Sequence, residues 1–242
     1  MKPKIAIILL TWQRIPNLKN TLKMLSLQSY KDFDVFISNA NLNSKKVSVI
    51  DKYLWHYTNP KKLNITLLHD GNDMYTFRRL TVARDLAKQG YEIILYIDDD
   101  VTIDKDHVKK CVDSFQPKTY MSEYAWSFYK SGRTYYKGRQ RRKDNDKTIN
   151  YCGTAVAMID ASIFLEEGLF DYPEGALKIE DLWLSFYAQH ILGWNLMYLE
   201  LNSSVAGKDS VALFRTVQRD EINKDTFLRK LVDMGWSLPE QI

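Results

Sequence analysis

Apolar residues recur along this chain in two rhythms. Short runs rich in β-branched and aromatic types, Lys4–Thr11, Phe33–Ser38, Leu63–Leu68 and Tyr91–Ile97, have the length and composition of strands, and Ile93–Ile97 reads as one buried on both faces. Between them, apolar residues return every three or four positions. Leu18, Leu22 and Leu25 do so within Asn17–Gln28, Val47, Ile50 and Leu54 within Ser44–Tyr57, and Phe77, Leu80, Ala83 and Ala87 within Thr76–Gln89. Pro16 stands where a helix start tolerates it. Strands alternating with helices at this spacing predict an α/β fold, a mostly parallel central sheet flanked by helices and joined by right-handed crossovers. Ligands of such sheets gather at the carboxyl ends of the strands. Here those ends read Thr11-Trp12-Gln13-Arg14, Ser38-Asn39, His69-Asp70-Gly71-Asn72 and Asp98-Asp99-Asp100, which together make a polar rim.

After residue 100 the pattern loosens. Residues 104–115 predict a helix, Thr119–Tyr129 and Thr148–Ile159 predict strands, a helix starts at Glu180-Asp181, and Trp194–Leu201 predicts the closing strand. Residues 130–143 read as a basic loop with seven Lys or Arg and the adjacent Tyr135 and Tyr136. It is either a solvated hairpin tip or a flap that closes over a site, with an RNA-binding patch as the third reading. Ser203–Ser210 is polar. The tail Asp220–Met234 carries Ile222, Phe227, Leu228, Leu231 and Val232 at helical spacing, suited to packing on its own domain or to a peripheral membrane contact.

Composition narrows the class. The 242 residues are 45% hydrophobic and 13% aromatic, enough to fill a substantial core. The net charge of +4 comes largely from the one basic cluster, so no nucleic-acid partner is expected. Cys111 and Cys152 lack metal-type spacing and fit a reducing compartment. Ile5–Leu10 is too short for a signal-peptide core, and no segment approaches the roughly 20 apolar residues of a membrane span. A cytoplasmic protein, soluble or peripheral, is the expectation.

The candidate chemistry centres on Ile93–Asp100, five apolar residues ending in three carboxylates. Strand alternation predicts Asp98 and Asp100 on one side and Asp99 on the other. Two such charges about 4 Å apart repel by roughly 4 kcal/mol at an effective dielectric near 20, so the cluster asks for a cation or a proton. Oxygen ligands without nearby His or Cys suit Mg2+ or Mn2+. Arg14, Arg78 and Arg79 are candidates to grip phosphate.

These features resemble the nucleotide-sugar half of a GT-A glycosyltransferase of the family 2 type. The resemblance rests on a strand ending Thr-Trp-Gln-Arg, a helix ending Leu-Ser-Leu-Gln-Ser-Tyr, the strand Phe-Asp-Val-Phe-Ile-Ser-Asn and the Asp-Asp-Asp strand end. It extends through the glycine-bearing strand Tyr151–Ile159, Gly168-Leu169-Phe170-Asp171 and Glu180-Asp181-Leu182-Trp183-Leu184. The resemblance implies one GT-A domain over 1–242. Residues 1–100 would bind the nucleotide-sugar and 101–205 form the acceptor and catalytic half, with a smaller mixed sheet, while 206–242 make a helical tail. Thr11, Trp12, Arg14, Asn39, Asp70, Arg79, Asp98, Asp99, Gly153 and Thr154 would meet the donor. Asn39 stands where the family usually carries Asp.

Asp98 and Asp100 would hold Mn2+ or Mg2+, with Asp209 or water as third ligand because no His follows His190, and Lys208 is a candidate to cover the diphosphate. Asp181 would be the general base and Glu180 would orient the acceptor. The implied reaction moves a sugar, from UDP by default, to a glycan, glycoprotein or lipid-linked acceptor with inversion. The alternatives are a nucleotidyltransferase of similar architecture, whose first loop is usually Gly-rich, and a non-catalytic carbohydrate- or RNA-binding module.

Overall fold

The computed structural model describes residues 2–12, 14–40, 44–58, 62–68, 74–129, 135–145, 148–205 and 224–239. The first half runs β1 (Ile5–Thr11), α1 (Ile15–Ser26), β2 (Asp34–Asn39), α2 (Ser44–Thr58), β3 (Asn64–Leu68), a 3-10 turn (Tyr75–Phe77) leading into α3 (Arg78–Lys88), and β4 (Ile93–Ile97). Then come β5 (Val101–Thr102), α4 (His107–Ser114), β6 (Thr119–Ser122), β7 (Ala125–Phe128), β8 (Arg139–Arg142), β9 (Tyr151–Cys152) and β10 (Val156–Asp160). After these stand α5 (Glu180–Phe186), β11 (Asn195–Tyr198), β12 (Ser204–Val205) and α6 (Lys224–Asp233).

Seven strands form the central sheet in the order β11-β6-β10-β4-β1-β2-β3. β4, β1, β2 and β3 are parallel neighbours, β11 is parallel to β6, and β10 runs antiparallel between β4 and β6. The period-two alternation of the strands feeds two cores. Ala6, Ile8, Ile94, Tyr96, Ala157 and Ile159 face α3, α5 and α6, whereas Ile5, Ile7, Leu9, Ile93, Leu95 and Ile97 face α1, α2 and α4. Strands buried on both faces explain why the sequence shows continuous apolar runs there. No helix among the described residues is long and apolar enough to cross a membrane.

The second half departs from the sequence reading in three places. Thr119–Tyr129 is two strands in two sheets, because Ser122 Oγ donates to the carbonyls of Gly153 (2.7 Å) and Val156 (2.9 Å) and accepts from Tyr124 N (2.9 Å). A side chain that takes over backbone partners lets the chain leave the ladder. Thr148–Ile159 likewise breaks between β9 and β10. In the predicted basic loop, Arg139–Arg142 is strand β8, paired antiparallel with β7, and β7 also pairs antiparallel with β9. The smaller sheet is therefore antiparallel throughout rather than mixed. Residues 130–134 of the predicted loop lie outside the described residues.

Candidate active site

The carboxyl end of β4 carries the acidic triplet into a turn, with Val101 N donating to Asp98 O at 3.2 Å. Strand alternation stops at Ile97, so Asp99 does not point away from Asp100. Both reach Arg14, whose Nη2 lies 2.5 Å from Asp99 Oδ1 and whose Nη1 lies 2.7 Å from Asp100 Oδ2. Asp98 instead meets Arg79, with Nη2 at 3.0 Å from its Oδ1. Burial pushes the Asp99 carboxyl up to about 7, with Arg14 opposing and Asp98 and Asp100 reinforcing the shift.

Arg79 is the hub. It is buried on α3, donates Nη1 to the Thr154 carbonyl at 3.0 Å, and places Nε 3.3 Å from Glu180 Oε1. Burial works against its charge, yet Asp98 and Glu180 hold its pKa above the ordinary value. Glu180 is also buried, at the start of α5, and accepts from the hydroxyls of Thr76 and Thr154, the latter at 3.2 Å. Burial raises its pKa against the opposing pull of Arg79.

Asp181, the next residue, is partly exposed and ends a chain of hydrogen bonds. Tyr151 Oη donates to Asp181 Oδ2, Tyr135 Oη donates to Tyr151 Oη at 2.9 Å, and Lys224 Nζ of α6 stands 3.5 Å from Tyr135 Oη. Burial disfavours the Lys224 charge, but Asp181 holds its pKa above the ordinary value.

At the ends of β1 and β2, Thr11 and Asn39 are register partners and both buried. Thr11 Oγ1 has no hydrogen-bond partner. Such a buried hydroxyl costs about 1–3 kcal/mol unless something satisfies it, which fits a site for a polar ligand edge. Trp12 beside it is 49% exposed. A Cβ on Gly153 would stand 3.3 Å from Tyr124 Cβ, so the glycine permits a close approach of the two segments. Arg78 turns elsewhere, donating Nε to Ser38 Oγ at 3.0 Å. Asp70, Lys208 and Asp209 lie outside the described residues.

The structure thus gathers Arg14, Arg79, Asp98, Asp99, Asp100, Thr154 and Glu180 into one network and sets Asp181 beside it. The sequence reading missed Thr76, Tyr135, Tyr151 and Lys224 as members. Tyr135 drew attention only beside Tyr136 in the basic loop, because partners 16 to 104 positions apart leave no local pattern.

The donor set fits a hard divalent cation. Arg79 and Arg14 each take one oxygen of Asp98 and Asp100, and these carboxylates keep 29% and 18% of their side-chain surface exposed. Among the described residues no group of three or more His, Cys, Asp or Glu is placed to hold a metal, so phosphate oxygens or water would complete the coordination.

No protein-family model and no curated protein matches this sequence. Solved structures do match in fold. The mannosyltransferase PcManGT from Pyrobaculum calidifontis, in complex with GDP-Man and Mn2+, matches 98% of this chain and 70% of its own at 15% identity and a TM-score of 0.58. S. aureus TarS 1-349 in complex with UDP-GlcNAc matches 98% and 73% at 15% identity and 0.57, and the longer TarS chain is covered over 44% of its length. The fold is that of the GT-A nucleotide-sugar glycosyltransferases.

Proposed function

We propose that this chain, working as one unit over 1–242, transfers a sugar from a nucleotide-diphosphate sugar to an acceptor hydroxyl. The observation that carries the reading is the position of Arg79. This one buried guanidinium ties Asp98 at the end of β4 to Glu180 at the start of α5, so an acidic pole and a partly exposed carboxylate are fixed within one site.

Thr11 and Asn39 would take the nucleoside. Asp98 and Asp100 would hold Mn2+ or Mg2+, which when bound neutralises the charge that develops on the departing diphosphate. Asp181 accepts the proton of the acceptor hydroxyl as that oxygen bonds to the anomeric carbon, while the bond from that carbon to the diphosphate oxygen breaks and its electron pair leaves with the diphosphate. A base on the face opposite the leaving group makes this a single displacement with inversion. Tyr151 holds the Asp181 carboxylate in place, and Glu180 positions Arg79. A uridine donor is the working choice because neighbours of this fold carry UDP or UDP-GlcNAc, with GDP-Man as the competing one.

The test is a thermal-shift panel of UDP-, GDP-, dTDP- and CMP-sugars with and without Mn2+. Stabilisation by one nucleotide class only in the presence of metal is expected. Equal shifts in EDTA, or none with any donor, would refute the reading.

A further inference from the structure

One face of β7 and β8, buried at Phe128 and partly open at Trp126, Arg139 and Arg141, carries alternating rings and cations. The Arg139 guanidinium lies 4.1 Å from the centroids of Trp126 and Tyr135 and 5.2 Å from Tyr136, and Arg141 lies 4.3 Å from Tyr124 and 5.3 Å from Trp126. Cross-strand register builds this order: Trp126 faces Arg141, and Phe128 faces Arg139.

Stacking occupies the faces of a guanidinium and leaves its edge N–H groups unspent. Among the described residues the Arg139 side chain has no hydrogen bond or ion pair, and the Arg141 side chain donates only to the Glu123 carbonyl (2.7 Å) while its Nε is buried without a partner. Glu123, in the turn between β6 and β7, accepts from Arg141 through its backbone carbonyl, and its carboxylate forms no ion pair with either arginine among the described residues. From Tyr135 to Asn145 the chain carries five Lys or Arg against one Asp, an excess equal to the net charge of the whole protein. These are donors held flat and in order, and neither guanidinium forms an ion pair with a carboxylate among the described residues; Asp225 is engaged by Tyr135 N instead.

The ladder also has a direction. Tyr135, the ring under Arg139, is hydrogen-bonded to Tyr151, which is bonded to Asp181. At the other end Tyr124 packs against Gly153. Four-residue strands make a face of about 13 Å, the length of a few sugar rings rather than of an extended nucleic-acid track.

We propose that this face binds an anionic saccharide acceptor, with Arg139 and Arg141 gripping an oxyanion, carboxylate or phosphate, and Trp126 and Tyr136 packing on the rings. The acceptor hydroxyl is thereby delivered toward Asp181. This deepens the glycosyltransferase reading and rests on it.

Binding of four saccharide probes to the full chain, with a single-stranded RNA and a phosphatidylglycerol vesicle as comparators, tests it by calorimetry: an oligoglucuronate, its carboxyl-reduced neutral counterpart, glucose 6-phosphate and glucose. The acidic member of at least one pair is expected to bind at least ten-fold more tightly than its neutral partner, and which pair responds tells carboxylate from phosphate. Arg139→Gln and Arg141→Gln should each weaken that binding at least five-fold while leaving the donor thermal shift unchanged. The acid-versus-neutral comparison on the wild type stands even if a variant fails to fold. Equal binding of charged and neutral probes, no binding of any, or tighter capture of a single-stranded RNA or a phosphatidylglycerol vesicle would each overturn the proposal. Loss of the donor shift in the wild type would instead refute glycosyl transfer and leave the saccharide measurement standing.

Discussion

Arg79 Nε lies 3.3 Å from Glu180 Oε1, and both side chains are almost wholly buried. The contact ties α3, which packs behind β1, to α5, which presents Asp181. Because Arg79 also binds Asp98 and the Thr154 carbonyl, displacing it would disturb both poles of the site at once. A buried pair of this kind contributes little net stability compared with apolar residues of the same volume, but breaking one side leaves a stranded charge.

Arg79→Met and Glu180→Leu should therefore each lower unfolding free energy by about 3–5 kcal/mol, whereas the double variant should lose clearly less than the sum. Urea denaturation of the four proteins measures the coupling. Additive losses would show that the two residues do not act as a pair.

The second relationship concerns Asp181, proposed as the base. Asp181→Asn should lower kcat at least about 100-fold and leave the donor thermal shift intact, since a side-chain base contributes roughly that much or more. Tyr151→Phe removes the hydroxyl that fixes Asp181 and should lower kcat about ten-fold without changing donor KM. Turnover at wild-type rate in Asp181→Asn would remove that residue from its role.

Arg14 makes a prediction about the metal. Its two short contacts to Asp99 and Asp100 put a fixed positive charge where a divalent cation would bind, so donor-free affinity for Mn2+ should be weak. Arg14→Gln should tighten donor-free Mn2+ binding, and Asp100→Asn should abolish it, as read by the loss of the free-ion signal in electron paramagnetic resonance. Unchanged affinity in Arg14→Gln would mean that the guanidinium and the ion do not compete.

The layered sheet was legible because strands buried on both faces write continuous apolar runs such as Ile93–Ile97, and amphipathic helices write a three-to-four period such as Leu18, Leu22, Leu25. The carboxylates Asp98–Asp100 stood out because they close a buried apolar run, and Glu180-Asp181, which a helix start favours by itself, stood out only in company with them. What escaped was set by tertiary partners. Ser122 ends a strand by bonding carbonyls more than 30 positions away, and four arginine-rich residues that read as a solvated loop become a strand because Trp126 and Tyr135 cover the guanidiniums of Arg139. Arg14 and Arg79 were candidates for phosphate, and only the fold shows them already spoken for by carboxylates.

His107 supplies a pH test away from the site. It is 1% exposed at the start of α4, its Nδ1 has no hydrogen-bond partner, and burial pushes its pKa down from 6.5 to about 4, with Lys110 adding to the shift and Asp104 opposing it. Between those values the unfolded chain binds a proton that the folded chain refuses. Its contribution is therefore fully present above pH 6.5 and is lost as the pH falls toward 4, up to about 3 kcal/mol in all. Asp99 works in the opposite sense over part of the same range, because its raised pKa makes the folded chain bind the extra proton below about 7. The two signs can cancel in the wild-type curve, so the difference between the wild type and His107→Gln is the informative quantity. That difference should be flat above pH 6.5 and should turn in favour of the variant as the pH is lowered to 4.5, measured by urea unfolding at each pH. A difference independent of pH would mean that His107 titrates alike in the folded and unfolded chains.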